Sequence, residues 1–166
     1  MKHLFLLRHA KSSWEDPGQR DHNRPLNDEG KKGALLMGKF LMQETIKPDK
    51  VICSTAQRVR ETWAIFKKAA ALDLDPLFDD SLYLCSASQL LRVLSRLQEN
   101  DNSVMIIGHN PTMVDAVELL TLETFAFGKY STAGLCLVEI PCRSWEDINK
   151  YRARIIYFKA PKMLKP

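Results

Sequence analysis

The chain has 166 residues, enough for one domain with a real hydrophobic core, and its 45% hydrophobic and 27% charged content is ordinary for a globular protein. Its net charge of +4, from 24 Lys+Arg against 20 Asp+Glu, is too mild to mark a nucleic-acid surface. Much of the excess lies late, at Lys150, Arg152, Arg154, Lys159, Lys162 and Lys165, and with no binding motif beside it this reads as a solvated edge and a basic tail. No segment is long enough to cross a membrane, and Arg8 cuts the apolar start too soon for a signal peptide, so the expected location is the cytoplasm.

In chain order, Leu4-Phe5-Leu6-Leu7 reads as a strand buried on both faces that ends abruptly on Arg8-His9. Residues 12–25 are rich in Asp, Pro, Gly, Asn and Arg and read as a long loop. Asn27 then caps a helix whose Asp28 and Glu29 suit its positive start. Gly30, Gly33 and Gly38 weaken that helix but permit close packing. Val51-Ile52-Cys53 is a second strand. Ser54 with Gln57 reads as a capping box for a helix over 55–71. Leu77-Phe78 is a short edge strand, and Ser88 opens a helix with Leu90, Leu91, Leu94 and Leu97 on one face. Val104-Met105-Ile106-Ile107 is a second strong buried strand, ending on Gly108-His109-Asn110-Pro111. Asn110 as cap and Pro111 as first helical residue predict a helix to about Leu122. Residues 134–140 and 153–158 read as strands that pair as an antiparallel ribbon at one edge.

Strand–helix alternation predicts an α/β protein, a three-layer α/β/α sandwich with a mostly parallel sheet and an antiparallel edge, in a single domain over 1–166. Parallel neighbours would bring Arg8-His9, the Ser54–Arg58 turn and His109 to one sheet edge, where open α/β sheets bind ligands and helix N-termini favour anions. Two histidines and two arginines suit a phosphoryl group: Arg forks its oxygens, one neutral imidazole attacks, and a second, protonated, stabilises the equatorial oxygens.

The four cysteines, Cys53, Cys85, Cys136 and Cys142, lack CxxC spacing and read as buried free thiols in a reducing compartment. Cys53-Ser54-Thr55-Ala56-Gln57-Arg58 is one residue too short for a cysteine phosphatase loop, which sets thiol chemistry aside. No His pair has metal spacing. His3 and His22 read as outside any ligand set, Arg24 as a brace of the loop, and Arg60 as facing solvent or a carboxylate.

Leu7-Arg8-His9-Ala10-Lys11 resembles the Arg-His-Gly signature of the histidine phosphatase, or phosphoglycerate mutase-like, superfamily, and more closely its small SixA-type phosphohistidine phosphatase branch. The segments Asp21-His22-Asn23-Arg24-Pro25-Leu26, Ser54 through Thr62, Ile107-Gly108-His109-Asn110-Pro111 and Ala160-Pro161-Lys162-Met163-Leu164 follow the same branch in order. The resemblance implies that His9 is the nucleophile and becomes phosphorylated. Arg8, Arg58 and His109 would complete the phosphate pocket, with Lys11 and Asn110 as further phosphate-binding candidates. It implies no metal or organic cofactor, and phosphate or sulfate as pocket ions. The partner would be a phosphohistidine-bearing protein such as a phosphotransfer domain. Ala10 replaces the signature Gly, and Glu15 follows Trp14 where mutase-like members carry Asn. Their general-acid Glu has no clear counterpart; Asp21, Asp79 and Asp80 are the candidates. An absent acid favours a nitrogen-linked substrate over an ester. A broad phosphomonoesterase or mutase-like enzyme, and a phosphate-binding module without turnover, are the alternative readings.

Overall fold

The computed structural model describes residues 1–164. Lys165 of the basic tail lies outside the described residues. The first strand, β1 (Lys2–Arg8), is followed by a loop closing in a short 3-10 turn at Asp21–Asn23. Next come α1 (Asp28–Gln43), β2 (Lys50–Cys53), α2 (Gln57–Ala69), β3 (Leu77–Phe78) and α3 (Ala87–Ser95). Then follow β4 (Ser103–Gly108), α4 (Thr112–Thr121), β5 (Leu135–Ile140) and β6 (Arg154–Lys159).

The strands form one sheet in the order β3-β2-β4-β1-β5-β6. β3, β2, β4 and β1 run parallel, while β5 is antiparallel to β1 and to β6. This is the expected α/β architecture with its antiparallel edge.

Side-chain alternation along each strand divides the core in two. Leu4, Leu6, Ile52, Val104 and Ile106 face one layer, with Leu90, Leu94, Met113 and Val117 of α3 and α4. Phe5, Leu7, Val51, Met105 and Ile107 face the other, with Met37, Leu41, Val59 and Phe66 of α1 and α2. β1 and β4 lie in mid-sheet between the layers, and this is why both read as continuous apolar runs.

Local starts differ from expectation in three places. α2 opens at Gln57 with Ala56 in the cap position and no side-chain cap, because the Ser54 hydroxyl turns to His109 instead. α3 opens two residues after Cys85, capped by Ser86 in a reciprocal box with Gln89, so Ser88 is already helical. Pro111, not Asn110, stands in the cap position of α4. Cys85 is only half-buried, while the other three thiols are buried.

Candidate active site

Three strand ends place the site. Arg8 stands opposite Gly108, and Cys53 opposite Ile107, so His9, His109 and Ser54 emerge together at one sheet edge. His9 N donates to Gly108 O and Ser54 N to Ile107 O, both at 3.0 Å. The two imidazole centroids lie 5.2 Å apart. The first turn of α2 adds Arg58, buried between them.

His9 is held in one tautomer. Its Nδ1 lies 2.7 Å from Ala10 O, and a carbonyl only accepts, so Nδ1 carries the proton and Nε2 the lone pair. Nε2 faces Arg58 Nε at 3.3 Å. Ala10 is fixed in turn: its N–H donates to Thr62 Oγ1 at 3.0 Å, and the Thr62 hydroxyl donates to Arg58 O at 2.6 Å. One turn of α2 therefore aims both the imidazole and the guanidinium.

His109 is fixed the same way. Its Nδ1 faces Arg58 Nη2 at 3.4 Å, and an arginine cannot accept, so Nε2–H donates to Ser54 Oγ at 2.8 Å. Ser54 Oγ also accepts from Ala56 N at 3.3 Å. Burial pushes His9 down to about 4 from its ordinary 6.5, against the Ala10 hydrogen bond and with help from the Arg58 and Arg8 charges. His109 is pushed down to about 3, first by burial, then by His9 and Arg58. Both rings are therefore neutral near pH 7, which corrects the expectation of a protonated second imidazole: burial, with His9 and Arg58 alongside, disfavours a further positive charge on His109.

Arg8 donates Nη1 to Tyr130 O at 3.0 Å, and its buried Nε has no protein acceptor. An unpartnered buried donor on a residue that lines the cleft favours an anion there. Asn110 Nδ2 donates to the same Tyr130 carbonyl at 2.9 Å, so its amide props the segment that holds Arg8. Lys11 lines the cleft, but its ammonium pairs with Glu29 at 2.9 Å on the rim.

Three acid candidates have other work. Asp21 Oδ2 lies 3.1 Å from Arg58 Nη2 and 2.5 Å from the Tyr83 hydroxyl, and Oδ1 lies 3.1 Å from Arg24 Nη1. The Tyr83 hydrogen bond, with Arg58 and Arg24, holds its carboxyl at about 2, so it is a carboxylate at neutral pH. Asp79 caps a short 3-10 turn through Ser81 N, and Asp80 accepts from the Thr55 hydroxyl at 2.6 Å.

The cleft over His9 encloses ≈ 230 Å³ between Arg8, Ser12, Trp14, Arg24 and Arg58. Arg24 is buried and bonded to Ser12, Ser13 and Asp21, and it stacks 3.2 Å under the Trp14 ring. Trp14 itself is 77% exposed. Arg60 turns away, donating to Thr55 O and stacking on Phe78. His3 sits at the far end of β1, paired with Glu139 at 3.2 Å. His22 lies at the mouth, 2.9 Å from Thr55 Oγ1 and edge-on to Tyr83. Cys53 is inert: burial pushes its thiol up to about 12. Among the described residues, no group of three or more His, Cys, Asp or Glu is gathered to hold a metal.

Sequence reasoning missed Ser54, Thr62, Tyr83 and Tyr130 as members of the site. Ser54 carried a signal, since it directly follows a strand whose neighbours end in Arg-His and Gly-His. Tyr83 and Tyr130 carried none, because both arrive on irregular segments.

Two neutral imidazoles and two arginines around one point make a pocket suited to a phosphoryl group. Residues 4–82 match the family model described as histidine phosphatase superfamily, branch 1. SixA from Agrobacterium tumefaciens is 30% identical, with 96% of this chain and 98% of that one covered at a TM-score of 0.83. The chain belongs to the histidine phosphatase superfamily, and within it to the SixA-type branch. The protein histidine phosphatase SixA complexed with tungstate has the same fold, at 23% identity and TM-score 0.83 over 98% of this chain and 99% of that one. An uncharacterized protein of Mycobacterium tuberculosis is 27% identical over 165 residues, covering 94% of this chain and 100% of its own length.

Proposed function

We propose that this phosphatase acts through a covalent intermediate on His9 and removes phosphate from phosphohistidine of a partner protein, such as a phosphotransfer domain. The observation that carries this reading is the fixed tautomer of His9: Nδ1 is tied to Ala10 O, and the Nε2 lone pair looks into the fork of Arg58. The phosphoryl group would lie between His9 and His109, on Arg58 Nε and Nη2 and on the free Arg8 Nε. His9 Nε2 bonds to phosphorus as the nitrogen–phosphorus bond of the substrate breaks. The dianion raises the proton affinity of His109, whose Nδ1 takes up a proton from solvent and donates it to an equatorial oxygen while Nε2–H stays on Ser54 Oγ. Water next attacks the phosphorus as the Nε2–phosphorus bond breaks; one of its protons stays with the released phosphate, the other passes to solvent, and Nε2 recovers its lone pair.

The state of Asp21 supports a nitrogen-linked substrate. An ester oxygen leaves as alkoxide and needs an acid. A phosphohistidine takes its proton from solvent on its own distal ring nitrogen before it leaves. A carboxylate held at about 2 does not supply a proton at neutral pH, and Asp79 and Asp80 are engaged elsewhere. The name of the A. tumefaciens relative agrees with this assignment. Free thiols fit a reducing, cytoplasmic setting.

The test is denaturing trapping of a phosphoenzyme, with His9→Ala as control, followed by assay on a phosphohistidine protein, sugar phosphates and phosphotyrosine peptides. The reading expects an acid-labile phosphoenzyme lost in His9→Ala and preference for the phosphohistidine protein. Equal turnover of simple esters would overturn the substrate assignment. Ligand binding without an intermediate would leave a binding module.

A further inference from the structure

Arg58 is gripped from two sides. Its inner edge, Nε and Nη2, faces His9 at 3.3 Å and His109 at 3.4 Å. Its outer edge is held wholly by one residue: Nη1 donates to the Asp21 carbonyl at 2.8 Å, and Nη2 to the Asp21 carboxylate at 3.1 Å. The Asp21 carboxylate is half-exposed, which by itself makes a loose anchor. Tyr83 tightens it with a hydroxyl at 2.5 Å. Tyr83 comes from the segment after β3, and Asp21 ends the long loop after β1, so one oxygen ties two irregular segments together over the guanidinium.

We propose that Tyr83 is a positioning residue for phosphoryl binding: acting through Asp21, it keeps the inner edge of Arg58 turned toward His9 and His109. The proposal rests on the phosphoryl-transfer reading above. Arg58 sits in the first turn of α2, where a cation meets the positive helix end. Unbraced, a long flexible side chain there drifts toward solvent. Asp21 cancels the repulsion and fixes the plane of the fork, and Tyr83 fixes Asp21. The Tyr83 ring also packs edge-on against His22 and His109, with centroids at 4.8 and 5.5 Å, so removing only its hydroxyl leaves the packing in place.

The experiment compares Tyr83→Phe, Asp21→Asn and the double variant in the full-length protein. It measures orthovanadate affinity, the rate of His9 phosphorylation by phosphoramidate, and melting temperature. Tyr83→Phe should weaken vanadate binding and slow phosphorylation about tenfold, and Asp21→Asn up to about a hundredfold, as misplaced catalytic groups do. The double variant should be no worse than Asp21→Asn, because Tyr83 works through that carboxylate. The Asp21 carbon signal in NMR should titrate at higher pH in Tyr83→Phe, a change that a purely structural tyrosine would not produce. Unchanged vanadate affinity in Tyr83→Phe overturns the proposal, with or without a lower melting temperature. Multiplying losses in the double variant also overturn it. If the wild type forms no phosphoenzyme, the phosphatase reading fails, while vanadate affinity and the Asp21 titration still decide the clamp.

Discussion

His9 and His109 occupy equivalent places at the ends of adjacent parallel strands, yet their hydrogen bonds give them opposite tautomers. His9 carries its proton on Nδ1 and presents Nε2, whereas His109 carries it on Nε2 and presents Nδ1. Both lone pairs consequently point at Arg58. The Ser54 hydroxyl decides the second case. Ser54→Ala should leave His9 able to attack but free the His109 ring to flip. We expect the phosphorylation rate to fall about fivefold, since one hydrogen bond to a buried ring is worth about 1 kcal/mol. Single-turnover kinetics with phosphoramidate measure this, and Ser54→Thr should restore much of the loss. A capping role for Ser54 would instead lower stability and spare the rate.

The two close glycines of α1 have different tasks. A Cβ on Gly30 would come within 2.0 Å of the Lys11 carbonyl, the backbone just beyond His9. A Cβ on Gly38 would come within 2.6 Å of the Ala69 Cβ and 2.7 Å of Phe66 O, at the crossing with α2. Gly30→Ala should therefore push the residues after His9 out of line and cost activity steeply, on the order of a hundredfold. Gly38→Ala should part α1 from α2 and cost about 1–3 kcal/mol of stability by overpacking, with a smaller effect on turnover. Chemical denaturation beside a rate assay separates the two outcomes.

At the scale of the whole molecule, the site couples activity and stability to pH. His9 and His109 are held at about 4 and about 3 in the fold, against an ordinary 6.5. Between 6.5 and those values the unfolded chain binds protons that the folded chain refuses, so stability falls as pH is lowered through that window. Below it the two rings contribute no further change. The melting temperature should decline from pH 6.5 toward 3, and the slope should flatten in a His9→Gln/His109→Gln variant. The sheet was largely legible in the sequence, because buried parallel strands such as 4–7 and 104–107 write themselves as apolar runs. The convergence of Arg8, His9, Arg58 and His109 was legible for the same reason: each follows a strand end. Helix starts were less so, since Ser54 and Asn110 offer capping chemistry that tertiary partners claim. Tyr83, Tyr130 and the state of Asp21 were illegible, because they depend on how irregular segments close over the sheet edge.

Trp14 gives the cleft an optical property. Of the three tryptophans, Trp63 and Trp145 are buried, and Trp14 alone stands in solvent beside His9 with a guanidinium against one face. Iodide should quench only this indole, drawn to it by the arginines of the cleft, and Trp14→Phe should abolish the quenching. An oxyanion seated on those arginines would repel the quencher, so occupancy of the pocket can be followed in the protein's own fluorescence, without a label and without turnover.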